Sequence, residues 1–340
     1  MRQFVRFRRN PCQDRLFQLK YSFAFRSLLQ SEKRIVDRIQ GENMPLDLLG
    51  KIMALLCAIV WAGAVILFKL AGDKIKPLAL NLYKTALTVT ILFPLLLLLG
   101  IPLIPADVPG RYWLAIAASG ILGIAVADTM FFACLNRLGA GVTAIVDCLY
   151  APFVMTATWI YLFEKPRLEQ IGGAALVIAA VLVVAYRKSG GARPARQIIS
   201  GVLFGVGAMA IMAVSIVLMK PALSRVNVFW VTELRMLSAL AVLLVMFAWQ
   251  KNRRQLLAPL WQKGGRHYAF WGAIFGNLIS MTLWVAAFKY TSVNSAAVLN
   301  QTNTVFVVVL AAVFLKETFT RRRLLATLLG VAGSLLVLLG

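Results

Sequence analysis

Charged side chains occur inside apolar segments of this sequence, where they are energetically costly. A carboxylate at the centre of a bilayer costs about 2.5–3.5 kcal/mol on insertion scales, so such residues are retained for a reason. Three acids and two bases lie well inside apolar segments: Asp128, Asp147, Glu233, Lys84 and Arg235. Groups at such positions bind ions or polar solutes, carry protons, or pair with one another to hold helices together. The sequence leaves these roles open.

Composition explains why the apolar segments are interpreted as membrane spans. Of the 340 residues, 60% are hydrophobic and 14% charged, and the mean hydropathy is +0.79. A soluble domain has about 45–50% apolar and about 25% charged residues. The net charge of +23 would suggest nucleic-acid binding in a soluble protein, but most Lys and Arg here flank apolar segments, where they orient spans. We therefore predict a multi-pass membrane protein that does not bind nucleic acid.

The chain after residue 50 offers ten apolar segments of the length needed to cross a bilayer, about 20 residues each. The predicted fold class is an all-α membrane protein, with ten transmembrane helices arranged as two inverted five-helix repeats. The spans are expected at 51–71, 78–100, 111–134, 140–162, 168–186, 198–220, 228–249, 267–289, 294–315 and 322–339.

The second half of the chain repeats the first. An offset of 153 residues aligns Leu135 with Phe288, Asp147 with Asn300 and Glu164 with Glu317. An offset of 151 aligns Gly50 with Gly201, Lys69 with Lys220 and Lys84 with Arg235. Because each half holds an odd number of helices, the second copy enters the membrane from the opposite side. We expect a first repeat at 50–186, a linker at 187–197 and a second repeat at 198–340.

Residues 1–43 differ from the rest of the chain, with ten Lys or Arg against four acids. No apolar run in this extension is long enough for a signal peptide. Three interpretations stay open: a start codon assigned ahead of Met44, a basic tail on anionic lipid, or an organelle transit segment.

Lys and Arg are distributed unevenly between the predicted loops. Each loop is numbered by the predicted span that it follows. The odd-numbered loops hold 17 Lys and Arg residues, and the even-numbered loops hold 6. The positive-inside rule then places the odd loops in the cytoplasm and both termini outside, in a bacterial inner membrane.

A helix break is predicted beside Asp147. Pro152 lacks a backbone donor and frees the carbonyl of Cys148 one turn earlier. Thr143, Asp147 and Tyr150 are spaced so that their polar groups share one face of a helix. A broken helix beside a carboxylate is typical of a transporter's solute site, and an ordinary proline kink is the alternative.

Uncharged polar residues occupy the matching place in the second half, from Asn300 to Thr304. Asn300, Asn303 and Thr304 share a face, where they would contact a solute or form interhelical hydrogen bonds. Weaker candidates are Asn277, Trp284 and Trp61, the last of which also suits a packing or interfacial role.

Depth suggests a partner for Asp147. At about 1.5 Å per residue from the loops, Lys84, Asp128 and Asp147 lie in the half nearer the odd loops. Glu233 and Arg235 lie in the other half. We therefore predict that Lys84 is the cation beside Asp147.

Two short turns complete the pattern, YLFEKP around Glu164 and FLKET around Glu317. With ten helices in two inverted repeats, residues 50–340 resemble the EamA-type drug/metabolite transporter family. The resemblance implies secondary transport through a central cavity lined by both repeats, without ATP hydrolysis. Because the solutes of that family are diverse, it does not name the solute here.

We expect a secondary transporter, an exporter or exchanger of a small organic metabolite or drug-like solute, that works by alternating access with proton coupling at Asp147. The alternatives are a lipid-linked sugar flippase and a non-transporting membrane scaffold. Catalysis, cofactors and metals are not expected, because His267 is the only histidine and no Walker loop, GxSxG motif or paired metal ligands occur. A homodimer is a candidate assembly.

Overall fold

The computed structural model describes residues 44–105, 108–162, 167–185, 194–223, 225–261, 265–291, 293–317 and 320–339. Three features expected from the sequence lie outside these residues: the extension at 1–43, the turn at Glu164 and most of the linker at 187–197. Within the described residues, every regular element is a helix.

The helices follow one another with short connections. In chain order they are α1 (Met44–Gly72), α2 (Pro77–Leu98), α3 (Gly110–Leu138), α4 (Ala140–Asp147), α5 (Tyr150–Leu162), α6 (Leu168–Ala185), α7 (Ala195–Leu223), α8 (Val228–Ala248), α9 (Arg253–Trp261), α10 (Gly265–Tyr290), α11 (Val293–Gln301), α12 (Asn303–Phe314) and α13 (Arg321–Leu339). Local chemistry explains several starts. Pro77 stands at the first position of α2, where no backbone donor is needed. The side chain of Asn227 caps α8 by accepting a hydrogen bond from the nitrogen of Phe229 at 2.8 Å.

Eight spans in the described residues are long and apolar enough to cross a membrane, against the ten predicted. They are α1, α2, α3, α4 with α5, α7, α8, α10, and α11 with α12. Helices α6 and α13 coincide with the two other predicted spans and pack closely together. A Cβ at Gly173 would lie 2.6 Å from the carbonyl oxygen of Gly333, and the reverse distance is also 2.6 Å. The short helix α9 lies between two predicted spans, in a segment predicted to be a loop.

Helices α3 and α10 each contain a π-helical segment, at Ile121–Ala127 and Ala273–Ser280. The offset of 153 carries position 121 to 274 and position 127 to 280, so the segments match in the two repeats. π-helical segments are rare in proteins, and a large share of those that exist lie at functional sites. Their matched positions make this part of each repeat a candidate functional region.

Both repeats also contain an interrupted helix at equivalent positions. The turn at 148–149 separates α4 from α5, and Thr302 separates α11 from α12. The offset of 153 relates Leu149 to Thr302. Val305 stands in the second repeat where Pro152 stands in the first, so this fold interrupts the helix with or without a proline. Asp147 ends α4 and therefore lies directly at the break.

Packing between the repeats is reciprocal. A Cβ at Gly50 on α1 would lie 2.8 Å from the backbone nitrogen of Thr291, and a Cβ at Gly201 on α7 would lie 2.6 Å from Cδ2 of Leu138. Gly50 corresponds to Gly201, and Leu138 corresponds to Thr291. The first helix of each repeat thus packs on the end of the third helix of the other repeat, at a distance that only glycine permits.

Helix α4 begins at a carboxylate from the opposite repeat. The nitrogens of Ala140 and Gly141 donate to Oε1 and Oε2 of Glu317 at 2.9 and 3.3 Å, and Arg323 donates to Oε2 at 2.9 Å. Gly139 precedes α4 with φ of +86°, and a Cβ there would lie 2.6 Å from the carboxylate. A carboxylate satisfies the free backbone donors of a helix N-terminus and interacts favourably with its dipole. Glu317 therefore caps α4 across the boundary between repeats.

Candidate functional site

Lys84, Asp128 and Asn277 form a hydrogen-bonded cluster inside the helix bundle. Nζ of Lys84 donates to Oδ2 of Asp128 at 2.6 Å and to Oδ1 of Asn277 at 2.8 Å. The amide of Asn277 donates to Oγ1 of Thr88 at 2.9 Å. Lys84 and Asn277 are 1% exposed and Asp128 is 3% exposed. One ammonium thus joins α2 and α3 of the first repeat to α10 of the second, out of contact with solvent.

The two π-helical segments position this cluster. Asp128 directly follows the first segment, and Asn277 lies within the second. Asn81, one turn before Lys84 on α2, donates to the carbonyl of Ile124 in the first segment at 2.7 Å and to Thr129 at 2.8 Å. Because a π-helical turn changes the pairing of backbone carbonyls, a side-chain donor from α2 satisfies one of them. The register of α3 against α2 is fixed by these contacts, which aims Asp128 at Lys84.

The predicted pairing of Lys84 with Asp147 is wrong. The carboxylate bound to Lys84 is that of Asp128, whereas Oδ2 of Asp147 accepts a hydrogen bond from the amide of Asn303 at 3.3 Å. The three charged residues lie at similar depths, but depth along a helix does not say which face a side chain occupies. Asp128 lies on α3, which packs against α2, and Asp147 lies on α4, which packs against α12.

Arg235 on α8 is fully buried, with 0% exposure, and its described hydrogen bonds are weak. One guanidinium nitrogen lies 3.4 Å from Oγ of Ser215 and another lies 3.8 Å from the sulfur of Met281. Its Nε has no hydrogen-bond partner among the described residues. The guanidinium lies 5.1 Å from the centre of the Trp284 ring, a distance typical of a cation–π contact.

Glu233 also lies on α8 and is 3% exposed. Neither carboxylate oxygen has a hydrogen-bond partner, and no ion pair involves it within the part of the chain that the structure describes. It does not share a face with Arg235, since residues two apart on a helix point in different directions. An unpaired buried carboxylate suits a site for a proton or a cation better than a structural ion pair.

The two interrupted helices contact each other across the repeats. Besides the Asn303–Asp147 hydrogen bond, Oγ1 of Thr304 donates to the carbonyl of Ala144 at 3.3 Å. The carbonyl of Cys148, one turn before Pro152, accepts from Oγ of a serine on α13 at 3.3 Å. Asn303 and Thr304 therefore form interhelical hydrogen bonds, one of the two roles that their shared face suggests.

The other polar residues near the breaks divide into two groups. Thr143 donates to the carbonyl of Gly139 at 2.7 Å and contacts the sulfur of Cys134 at 3.7 Å, so it belongs to the helix packing. The hydroxyl of Tyr150 and both amide atoms of Asn300 are buried without a described hydrogen-bond partner. These atoms retain hydrogen-bonding capacity for a ligand.

The two tryptophan candidates have different surroundings. Trp61 packs against Phe68 and Phe131, with ring centres 6.3 and 5.7 Å apart, in agreement with a packing role. Trp284 lies between Phe288, 4.8 Å away, and the guanidinium of Arg235. Only Trp284 therefore adjoins one of the buried charges.

Three residues of the polar network around the buried charges are not among the candidates predicted from sequence: Asn81, Thr88 and Ser215. Each is a polar residue inside a predicted span, which is the same signal that identifies Asn277. A recess of about 520 Å³ at the surface is lined by residues 249–255, none of which is a candidate.

Comparisons with known proteins agree with this architecture. The EamA-like transporter family model matches residues 48–186 and 199–339, one match for each repeat. An uncharacterized transporter of Archaeoglobus fulgidus is 24% identical over 293 residues, which cover 85% of this chain and 97% of that protein. A solved crystal structure of a protein superposes with a TM-score of 0.63 at 16% identity, covering 84% of this chain and 95% of the other, which shows a shared fold. The two family matches together cover most of the sequence, and the chain belongs to the EamA-like transporter family.

Proposed function

We propose that this protein is a secondary transporter that moves a small organic solute across the membrane by alternating access, as an exporter or exchanger. The observation that carries the proposal is the buried Lys84–Asp128–Asn277 cluster, which bridges the two repeats. An ion pair inside a membrane bundle is costly, and a well-packed apolar cluster would hold the helices as firmly. Its retention where the repeats meet supports a role in solute binding or in coupling rather than in stability alone.

The contacts across the repeats support alternating access. Lys84 on α2 bonds Asn277 on α10, Glu317 caps α4, and Asn303 bonds Asp147. Each of these hydrogen bonds joins one repeat to the other. In an inverted-repeat transporter the two access states differ by movement of one repeat or bundle against the other. Polar contacts between repeats can break and reform during such a movement without exposing apolar core.

The finer topology belongs to the same proposal. We infer that α6 and α13 cross the membrane together with the eight spans, which gives ten helices in a bacterial inner membrane. The repeats extend over 50–186 and 198–340, joined by a linker at 187–197. Lys and Arg in the odd loops place those loops in the cytoplasm and both termini outside. Proton coupling is assigned to Asp147, whose single described hydrogen bond leaves room for a proton.

Reconstitution tests the proposal. Uptake and efflux screening of a deletion strain across metabolite classes identifies the solute, and purified full-length protein in proteoliposomes then measures its movement. We expect solute-specific flux that Asn277→Ala reduces at least 10-fold, because Lys84 loses its contact to the second repeat. Asn252→Ala, at an exposed turn, is the matched control and keeps the wild-type rate. If no tested solute moves through the wild-type protein, the transporter assignment fails and a scaffold role takes its place.

A further inference from the structure

The buried charges of the two repeats are not symmetric. The offset of 151 aligns Lys84 with Arg235, so each repeat places a buried cation at the same position on its second helix. The offset of 153 aligns Asp128 with Met281. The first repeat therefore pairs its cation with a carboxylate, and the second places a thioether where that carboxylate would stand.

The structure confirms that these aligned residues are neighbours in both repeats. Nζ of Lys84 lies 2.6 Å from Asp128, and a guanidinium nitrogen of Arg235 lies 3.8 Å from the sulfur of Met281. A thioether is a weak hydrogen-bond acceptor, whereas a guanidinium presents five N–H donors. The described acceptors around Arg235 are that sulfur and the hydroxyl of Ser215 at 3.4 Å. Most of its donor capacity is unused.

The charged groups of the described residues do not neutralise Arg235. Asp128 and Tyr150 lie within electrostatic range of it, but Asp128 already accepts a hydrogen bond from Lys84. No acid lies within ion-pair distance of Arg235 in the described ranges. Asp147 bonds Asn303, and Glu233 points to a different face of α8. Among the described residues, Lys84 and Arg235 therefore share the single carboxylate of Asp128, and the positive charge of Arg235 has no acid of its own. A buried charge without a partner is strongly unfavourable, so an anion placed beside Arg235 would complete the arrangement.

The surroundings of the guanidinium indicate what kind of anion fits. Trp284 presents an aromatic face beside Arg235, and the buried hydroxyl of Tyr150 has no described partner. Gly123 lets α3 approach the guanidinium closely, since a Cβ there would lie 2.5 Å from Oγ of Ser215 and 3.1 Å from one guanidinium nitrogen. A single negative charge balances the single excess positive charge. This favours a carboxylate over a doubly charged phosphate, and an apolar or aromatic body would pack against Trp284.

We propose that Arg235 binds the carboxylate of the transported solute, so that the solute is a small organic acid with one carboxylate group. The inference rests on the proposed transport function and adds the chemical class of the solute. Arg235 provides the charged hydrogen-bond donors. The uncharged thioether of Met281 does not neutralise the guanidinium, so its charge remains available to the solute.

Binding to the full-length protein in nanodiscs tests the proposal by isothermal titration calorimetry. The probes are benzoate, phenylacetate and indole-3-acetate, each matched with its primary amide, with benzylamine as a cationic probe. We expect the acids to bind about 10- to 100-fold more tightly than the amides, which is the usual contribution of hydrogen bonds to charged groups. Arg235→Gln should reduce the preference to less than twofold, and Arg235→Lys should restore part of it.

A variant at a second position tests the proposal even if the Arg235 variants do not fold. Met281→Asp recreates the carboxylate of the first repeat and should pair with Arg235, which would abolish acid binding in a folded protein. Met281→Leu adds no charge and should keep the acid preference. The proposal is overturned if no acid binds better than its amide, if benzylamine binds best, or if the preference survives in the folded Met281→Asp variant.

The two proposals fail in different ways. Flux of a neutral or cationic solute in proteoliposomes would keep the transporter assignment and overturn the carboxylate assignment. Arginine-dependent acid binding without flux of any acid would keep the binding site and overturn the transport function.

Discussion

Oε1 of Glu317 lies 2.9 Å from the backbone nitrogen of Ala140, and this hydrogen bond connects the turn after the ninth predicted span to the start of the fourth. Arg323 holds the same carboxylate from α13 at 2.9 Å. The start of α4 therefore depends on a side chain from the other repeat. Since α4 ends at Asp147, a residue far along the chain helps to position one of the candidate coupling residues.

Removing this cap should destabilise the protein. We expect Glu317→Ala to lower the free energy of unfolding by about 1–2 kcal/mol, because two backbone donors and Arg323 lose their acceptor. Glu317→Gln keeps one acceptor and should lose less. The measurement is thermal unfolding of the purified protein followed by intrinsic fluorescence. Glu169→Ala, at an exposed position in the first turn of α6, is the control, and equal unfolding temperatures for Glu317→Ala and this control would contradict the capping role.

The Lys84–Asp128 pair should behave as a buried ion pair. We expect Lys84→Met to cost about 3–5 kcal/mol, because it leaves the Asp128 carboxylate without its partner. The double variant Lys84→Met with Asp128→Leu should recover most of that stability but not transport. Lys51→Met breaks an exposed pair with Asp47 and should cost less than about 1 kcal/mol. A fully active double variant would show that the pair is only structural.

Asp147 should be needed for coupling rather than for folding. Asp147→Asn keeps a polar group opposite Asn303 but cannot take up a proton, so we expect inserted, folded protein that loses pH-driven uptake. Exchange of labelled solute across the membrane should survive. Asp73→Asn, at an exposed position, is the matched control. Full pH-driven uptake by Asp147→Asn would remove this residue from the mechanism and direct attention to Asp128 and Glu233.

Glu233 offers a test that uses the repeat itself. The offset of 151 aligns it with Leu82, which is buried in the corresponding place of the first repeat. Because the Glu233 carboxylate has no described partner, we expect Glu233→Leu to preserve or raise the unfolding temperature. Glu233→Gln should be near neutral, and pH-dependent transport should change in both variants if this acid carries a proton. A large loss of stability in Glu233→Leu would mean that the carboxylate has a partner after all.

Topology can be measured directly. The distribution of Lys and Arg predicts that the loop at Arg253 and Arg254 is cytoplasmic and that the C-terminus is outside. An alkaline phosphatase fusion at Gly340 should be active and a fluorescent-protein fusion at the same place dark. A reporter inserted after Arg254 should give the opposite pair of signals, and reversal at both sites would overturn the charge argument.

The repeat and its polar positions could be predicted from the sequence, because an alignment of the two halves depends only on residue types. The offset that pairs Asp147 with Asn300 also pairs the observed helix breaks, although only the first contains a proline. Hydrophobic runs likewise gave helices close to their predicted places. For α6 and α13, however, the length of the apolar run does not distinguish a membrane-spanning helix from a helix buried in the protein.

Side-chain partners were not accessible in the same way. Two carboxylates lie at a depth similar to that of Lys84. Asp128 is its partner because of the π-helical register of α3, and no residue pattern in Ile121–Ala127 predicts that register. The unused hydrogen-bond donors of Arg235 could also be identified only from the structure. The sequence shows that Met281 aligns with Asp128, but only the distances show that each lies beside the cation of its own repeat.

The reciprocal contacts of Gly50 with Thr291 and of Gly201 with Leu138 have a consequence for the ancestry of the chain. Each repeat covers surfaces of the other that the other cannot cover alone, so a single repeat would have been incomplete as a monomer. A single repeat would therefore have needed a second copy to cover those surfaces. Fusion of two such copies lets each half diverge, so the aligned positions 128 and 281 can hold an aspartate and a methionine.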